Sequence, residues 1–154
     1  MKDISLNVYS KSVNVFFDQE SNILSINNKI IWNTSDPNVI SLTICSSSIV
    51  IILDTEELKC SVVKSYREKE IGNMLSFSLD GVLLWKANDI LNDNHYPFSG
   101  GCILSEADKK SYTKWHGVLF DEKHEYFDAY TLADEHYLID VTDNKFLVKK
   151  VIRG

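Results

Sequence analysis

The sequence predicts an all-β or β-dominated fold: antiparallel sheets of repeated hairpins, arranged as a sandwich or partial propeller, with at most one or two short helices. Short runs of β-branched and aromatic residues alternate with Asn, Asp, Ser and Gly along most of the chain. One hairpin phrase recurs, and almost no stretch shows the apolar spacing of a helix. At 154 residues the chain fits one domain, taken as residues 1–154, since domains commonly run to roughly 100–150 residues.

Near the start, Ile4, Leu6 and Val8 alternate with polar residues at the period of a half-buried strand. Ser41 to Ile44 and Ile49 to Leu53 flank a triple serine and read as two strands and a turn. The second run is apolar on both faces, which places it centrally in its sheet. Helical turns fit only Lys59 to Glu68, Ala87 to Asn92 and Ser105 to Lys114. In the last of these, Ser105 can cap a first turn holding Glu106 and Asp108. No apolar stripe follows, so a hairpin loop serves equally well there. Ser99-Gly100-Gly101 reads as a strand start or bulge.

The recurring phrase is Leu24 to Asn33, which aligns without gaps on Phe77 to Lys86. A weaker third copy spans Ile139 to Lys149. Each has a strand, a two-residue turn and a second strand with a large apolar residue a few places on. Asn27-Asn28, Asp80-Gly81 and Asp143-Asn144 all tolerate the positive φ of a tight hairpin turn. Three β-hairpins are expected, with Trp32 and Trp85 in equivalent core positions. The copies lie 53 and 63 residues apart, irregular for a solenoid.

Leu79-Asp80-Gly81-Val82-Leu83-Leu84-Trp85, with Tyr137-Leu138-Ile139-Asp140 and its hairpin, resembles the blade motif of quinoprotein-type β-propellers. The same phrases resemble small Asn- and Ile-rich bacterial immunity proteins of contact-dependent inhibition and other polymorphic toxin systems. The resemblance covers about a fifth of the chain. Asn144 replaces the usual glycine, Val148 stands where Trp would be, and Asn27-Asn28 replaces Asp-Gly. A quinoprotein needs more blades and its cofactor ligands, so that function does not carry over. The immunity resemblance implies a cytoplasmic protein that binds a toxin domain and blocks it, and it transfers no functional residue.

Charge narrows the partner. The chain carries a net −6, and the stretch His116 to Asp143 alone carries −7. An acidic balance argues against binding phosphate backbones or anionic membranes. Met1 to Tyr9 has no apolar core of signal-peptide length, and Ile49 to Leu53 is far too short to span a bilayer. Cys45, Cys60 and Cys102 are odd in number and widely spaced, the usage of buried free thiols in a cytoplasmic protein.

Catalytic patterns are absent. No phosphate-binding glycine loop, Gly-x-Ser-x-Gly or His-Glu-x-x-His occurs. Cys102 follows two glycines but has no local histidine partner. Carboxylate pairs such as Glu56-Glu57 fall in turn-like contexts. His116, His124, Asp128 and His136 could serve a small metal-dependent hydrolase, but their spacing fits no compact metal motif and Asp121 to Lys123 reads as a turn. Trp32, Trp85 and Trp115 could form a sugar-stacking platform. The expectation is a non-enzyme with no metal and no cofactor.

The acidic segment carries the functional expectation. If Glu122 to Tyr130 alternates, His124, Tyr126, Asp128 and Tyr130 share one face, with Glu125, Phe127 and Ala129 on the other. Acid mixed with tyrosine suits a protein interface better than plain solubility. Asp140 and Asp143 read as structural residues of the third hairpin. The expected partner-binding set is therefore Trp115, Asp121, Glu122, His124, Glu125, Tyr126, Asp128, Tyr130, Asp134 and Glu135, facing a basic toxin domain, in particular a nuclease.

Overall fold

The computed structural model describes residues 6–8, 11–54, 72–91, 97–131 and 133–151. A short ladder, β1 (Leu6–Val8) with β2 (Lys11–Val13), precedes eleven strands in three antiparallel sheets. The first sheet is β3 (Val15–Asp18), β4 (Ile23–Ile26) and β5 (Lys29–Trp32). The second is β6 (Val39–Ile44), β7 (Ser48–Leu53), β8 (Met74–Ser78) and β9 (Leu83–Lys86). The third is β10 (Phe98–Ile103), β11 (Tyr126–Thr131), β12 (Glu135–Asp140) and β13 (Lys145–Val151). Two helices are described, α1 (Ala87–Ile90) and α2 (Glu106–His116). The fold is β-dominated, as the sequence predicts.

In each sheet, chain neighbours are sheet neighbours, so all three are meanders whose last two strands form the recurring hairpin. The repeat is more regular in space than in sequence. Ser25 pairs with Ile30 but Leu24 pairs with Trp32, so Ile31 is skipped. Leu84 is skipped in the same way between Leu83 and Trp85, and Leu147 between Phe146 and Val148. One bulge at one repeat position puts Trp32, Trp85 and Val148 in equivalent places.

The turns differ from the expectation. Only the first is a two-residue turn, with Asn27 at φ +50° and Asn28 at φ +68°. In the second, Ser78 Oγ accepts from the Asp80 and Val82 N–H groups, and only Gly81 has positive φ. In the third, the Asp140 carboxylate accepts from the Thr142 and Asp143 N–H groups, so the turn runs 141–144 and only Asn144 is left-handed. A side chain that satisfies turn amides competes with the tightest backbone turn.

The sheets stack face to face. Ile49, Ile51 and Leu53 of β7 pack against Val15, Phe17, Leu24 and Ile26 of the first sheet. Val50 and Ile52 point the other way, onto Phe127, Ala129, Tyr137 and Ile139 of the third. This two-sided burial explains why β7 carries no polar alternation. Trp85 is buried in the second of these cores, while half-buried Trp32 stands edge-on to Phe77 at 6.3 Å between ring centres.

Polar ties join the second and third sheets. Buried Asn73 donates to Leu53 O at 3.1 Å and Phe98 O at 2.8 Å, and accepts from Phe98 N–H at 2.9 Å. Trp85 Nε1–H donates to Asn144 Oδ1 at 3.1 Å. The glycine stretch contains a bulge, between Phe98 and Gly100, as its composition predicts. Cys45 is buried, but Cys102 is exposed, against expectation, because its strand position faces away from the second sheet. Cys60, Glu56-Glu57, Ile4 and the possible helix at Lys59 to Glu68 lie outside the described residues. No helix among the described residues is long and apolar enough to cross a membrane.

Candidate functional site

α2 forms although Tyr112 is its sole buried residue. Ser105 Oγ accepts from Asp108 N–H at 3.2 Å, Glu106 and Asp108 occupy the first turn, and Lys114 and His116 the last. Both ends therefore match the helix dipole. Gly117, at φ +67°, closes the helix and reverses the chain. These end effects favour a helix over the hairpin loop that the missing apolar stripe allows.

The helix covers the outward face of the third sheet. Tyr112, with Val118 and Phe120 from the returning chain, packs on Leu104, Tyr126, Leu138 and Leu147. Within β11, Tyr126 joins this cluster while Phe127 and Ala129 face the second sheet, as alternation predicts. Residues 122–123 form the expected turn before it.

Two histidine–carboxylate groups lie on this face. In the first, Tyr112 Oη donates to Asp128 Oδ1 at 2.9 Å and His136 Nδ1 lies 2.8 Å from Asp128 Oδ2. The His136 ring is 5.7 Å from that of Tyr130, and Lys150 Nζ sits 4.2 Å over the Tyr112 ring. Burial and then the Asp128 charge push the Tyr112 hydroxyl pKa far upward. Cys102 pairs with Asp128 across the ladder. Its thiol is also pushed up, first by burial and then by Asp128 and Asp108. A nucleophilic cysteine needs the opposite shift.

In the second group, His124 Nδ1 lies 2.7 Å from Asp140 Oδ2 and 3.7 Å from Asp143 Oδ2, and Nε2 lies 3.5 Å from Asp121 Oδ2. The Asp140 hydrogen bond is the largest influence and raises the imidazole pKa; desolvation opposes it, and the charges of Asp140, Asp143 and Asp121 each add a lesser upward push. Ligand atoms of His124, Asp140 and Asp143 fall within 4.8 Å of one another. Yet two ligands on one tetrahedral zinc, each at 2.0–2.2 Å, stand about 3.3 Å apart. A 2.7 Å contact is a hydrogen-bond length. The arrangement is that of an imidazole sharing its protons with carboxylates.

The hydrolase set is thus divided. His136 sits on Asp128, His124 sits on Asp140, and His116 lies against the Tyr112 ring at 5.7 Å. The tryptophans are divided too: Trp32 and Trp85 belong to different cores, and Trp115 projects from α2.

The ten residues expected to bind a partner fall into three groups. Trp115 is 70% exposed, and Asp121, Glu122, Tyr130 and Asp134 also reach solvent. Asp134 occupies the β11–β12 turn with φ +57°, at the opposite end of the sheet from Asp121. Glu125 Oε1 accepts from Ser46 N–H at 2.6 Å, Glu135 pairs with Lys149 Nζ at 2.9 Å, and His124 is held as described. Tyr126 and Asp128 are buried under α2 and its return segment, so they support that surface instead of forming it. The Tyr126 hydroxyl accepts from Asp121 N–H at 2.9 Å.

Leu119 is the residue that sequence reasoning misses. At 88% exposure it is the barest of the large hydrophobic side chains described, followed by Trp115. Nothing in Gly117-Val118-Leu119-Phe120 distinguishes it from its half-buried neighbours. The acidic segment also has basic company: Lys109, Lys110 and Lys114 line an open groove with Glu106, Phe120 and Glu122. No protein-family model matches the chain, and no curated protein does.

Proposed function

We propose that the protein is a non-catalytic, immunity-type inhibitor that acts in the cytoplasm by binding a basic toxin domain, a nuclease in particular. The observation that carries this reading is the exposure of Trp115 and Leu119, 70% and 88%, on either side of the helix-ending Gly117. Tryptophan is enriched among the side chains that fill a partner's pocket at the centre of an interface, and the bare Leu119 adds apolar surface four residues on in the chain. Exposed Asp121 and Glu122 follow within the same return segment, and Asp143 faces His124. These acids and the net charge of −6 favour a cationic partner. Lys109, Lys110 and Lys114 would repel a basic surface laid on the groove side of the helix, so the partner's basic face sits over Asp121 and Asp143 instead. No nucleic acid, membrane or cofactor enters this reading.

The test is co-purification and growth rescue with the product of the adjacent upstream gene. Combined Trp115→Ala and Leu119→Ala should weaken binding by roughly 30-fold or more, the loss of one hot spot. Asp121→Lys with Glu122→Lys should slow association and flatten its salt dependence. Unchanged affinity in both variants removes this surface as the interface. No binding and no rescue by the wild-type protein removes the immunity reading itself.

A further inference from the structure

We infer that His124 is a proton-operated clamp that, when protonated, draws the segment leading into β11 onto the β12–β13 turn, and that releases the Asp121 arm on losing its proton. The groups facing the ring come from every element around it. Asp121 approaches from the return segment, Asp140 from the end of β12 and Asp143 from the turn. The Tyr126 ring of β11 lies stacked at 6.4 Å between centres. Among the described residues, no lysine or arginine pairs with any of the three carboxylates.

Nδ1 is therefore hydrogen-bonded to Asp140, while Nε2 faces the Asp121 carboxylate at the longer, ion-pair distance of 3.5 Å. Only the imidazolium has an N–H for each. The neutral ring keeps its proton on Nδ1, where the acceptor is 2.7 Å away and held by the Thr142 and Asp143 amides. Nε2 then turns a lone pair toward the Asp121 carboxylate at 3.5 Å, and attraction becomes repulsion. Asp121 is the arm that lets go. It also carries the contacts that shape the segment: its N–H reaches Tyr126 Oη, its carboxylate takes Lys123 N–H, and its carbonyl takes His124 N–H.

The sign follows from the raised pKa of the folded-state imidazole. The clamp is fully engaged below the ordinary histidine value of about 6.5 and is lost as pH rises through the higher folded-state value. Other uses of this face are weaker. A metal would have to part the 2.7 Å His124–Asp140 contact, and the Asp128–His136 pair has beside it a thiol shifted away from reactivity.

Histidine NMR of the whole protein between pH 5 and 9 tests the inference without any partner, so its result is separate from the proposed function. The His124 midpoint should lie above 6.5 and fall in Asp121→Asn and Asp143→Asn. Amide protection factors at His124 to Tyr126 should drop roughly three- to tenfold as pH passes that midpoint, and His124→Gln should abolish the step. A midpoint at or below 6.5, or protection factors that stay level in the wild-type protein, would overturn the clamp. So would one equivalent of Zn²⁺ abolishing the His124 titration at pH 7.5, which would make the cluster a metal site.

Discussion

Tyr112 and Asp128 meet where α2 lies on the third sheet, the buried hydroxyl donating to the buried carboxylate at 2.9 Å. The helix has no other buried side chain, so the Tyr112 ring and this hydrogen bond are its main anchor, with Lys109 Nζ adding a contact 5.7 Å from the Tyr126 ring centre. A hydrogen bond to a charged acceptor is worth about 1.5–3 kcal/mol. Tyr112→Phe keeps the packing and leaves Asp128 with His136 alone, so urea unfolding followed by circular dichroism should show a loss in that range. Tyr112→Ala adds a cavity and should cost roughly 3–5 kcal/mol, with loss of amide protection along residues 106–116. An unchanged unfolding midpoint in Tyr112→Phe would mean that the bond does not anchor the helix.

Asn73 is the corresponding device between the second and third sheets. Its side chain satisfies Leu53 O, Phe98 O and Phe98 N–H, all in the interior. Asn73→Leu conserves volume but strands three buried backbone groups, each costing about 1–3 kcal/mol when left unpaired. The expected outcome is a severe loss of stability, read as aggregation or a fall in melting temperature of well over 10 °C. A leucine variant as stable as wild type would show that the sheets do not need this bridge.

How much of this was legible in the sequence depends on how local each signal is. Asn27-Asn28 reads as a tight turn because positive φ is a property of those two residues. The longer turns are not legible in this way because Ser78 and Asp140 act on amides two to four residues away. β7 was legible as central because its apolar run faces two cores. The site was less so. His124 finds Asp140 through strand pairing sixteen residues apart, and the burial of Asp128 under Tyr112 depends on where α2 docks. Counting charge along His116 to Asp143 could not reveal that Lys109, Lys110 and Lys114 line a groove with Glu122.

The glycine pair in β10 gives a graded test of close packing. A Cβ on Gly101 would run into the Phe127 ring, which is fully buried against the second sheet. A Cβ on Gly100 would meet the Tyr130 hydroxyl end, but that side chain is 38% exposed and can swing away. Overpacking a rigid core typically costs about 1–3 kcal/mol. Gly101→Ala should fall in that range and Gly100→Ala well below it, by chemical denaturation of the two variants side by side. Equal costs would show that Tyr130 is as firmly seated as Phe127.

The thiols can be ranked by the same reasoning. Cys45 is buried and its pKa is pushed up to about 12, first by burial and then by the nearby Glu125 charge. Cys102 is also shifted upward, yet it is exposed on β10. Reaction with a disulfide reagent requires thiolate and access together. In a Cys60→Ser background, which removes the third cysteine, native protein at pH 8 should release one equivalent of chromophore from Cys102, more slowly than a free thiol does. The second equivalent, from Cys45, should appear only on unfolding. Replacing Asp128 by Asn takes away the larger of the two charges opposing the Cys102 thiolate, so labelling should quicken. If it slows instead, the carboxylate is not what holds that thiol protonated.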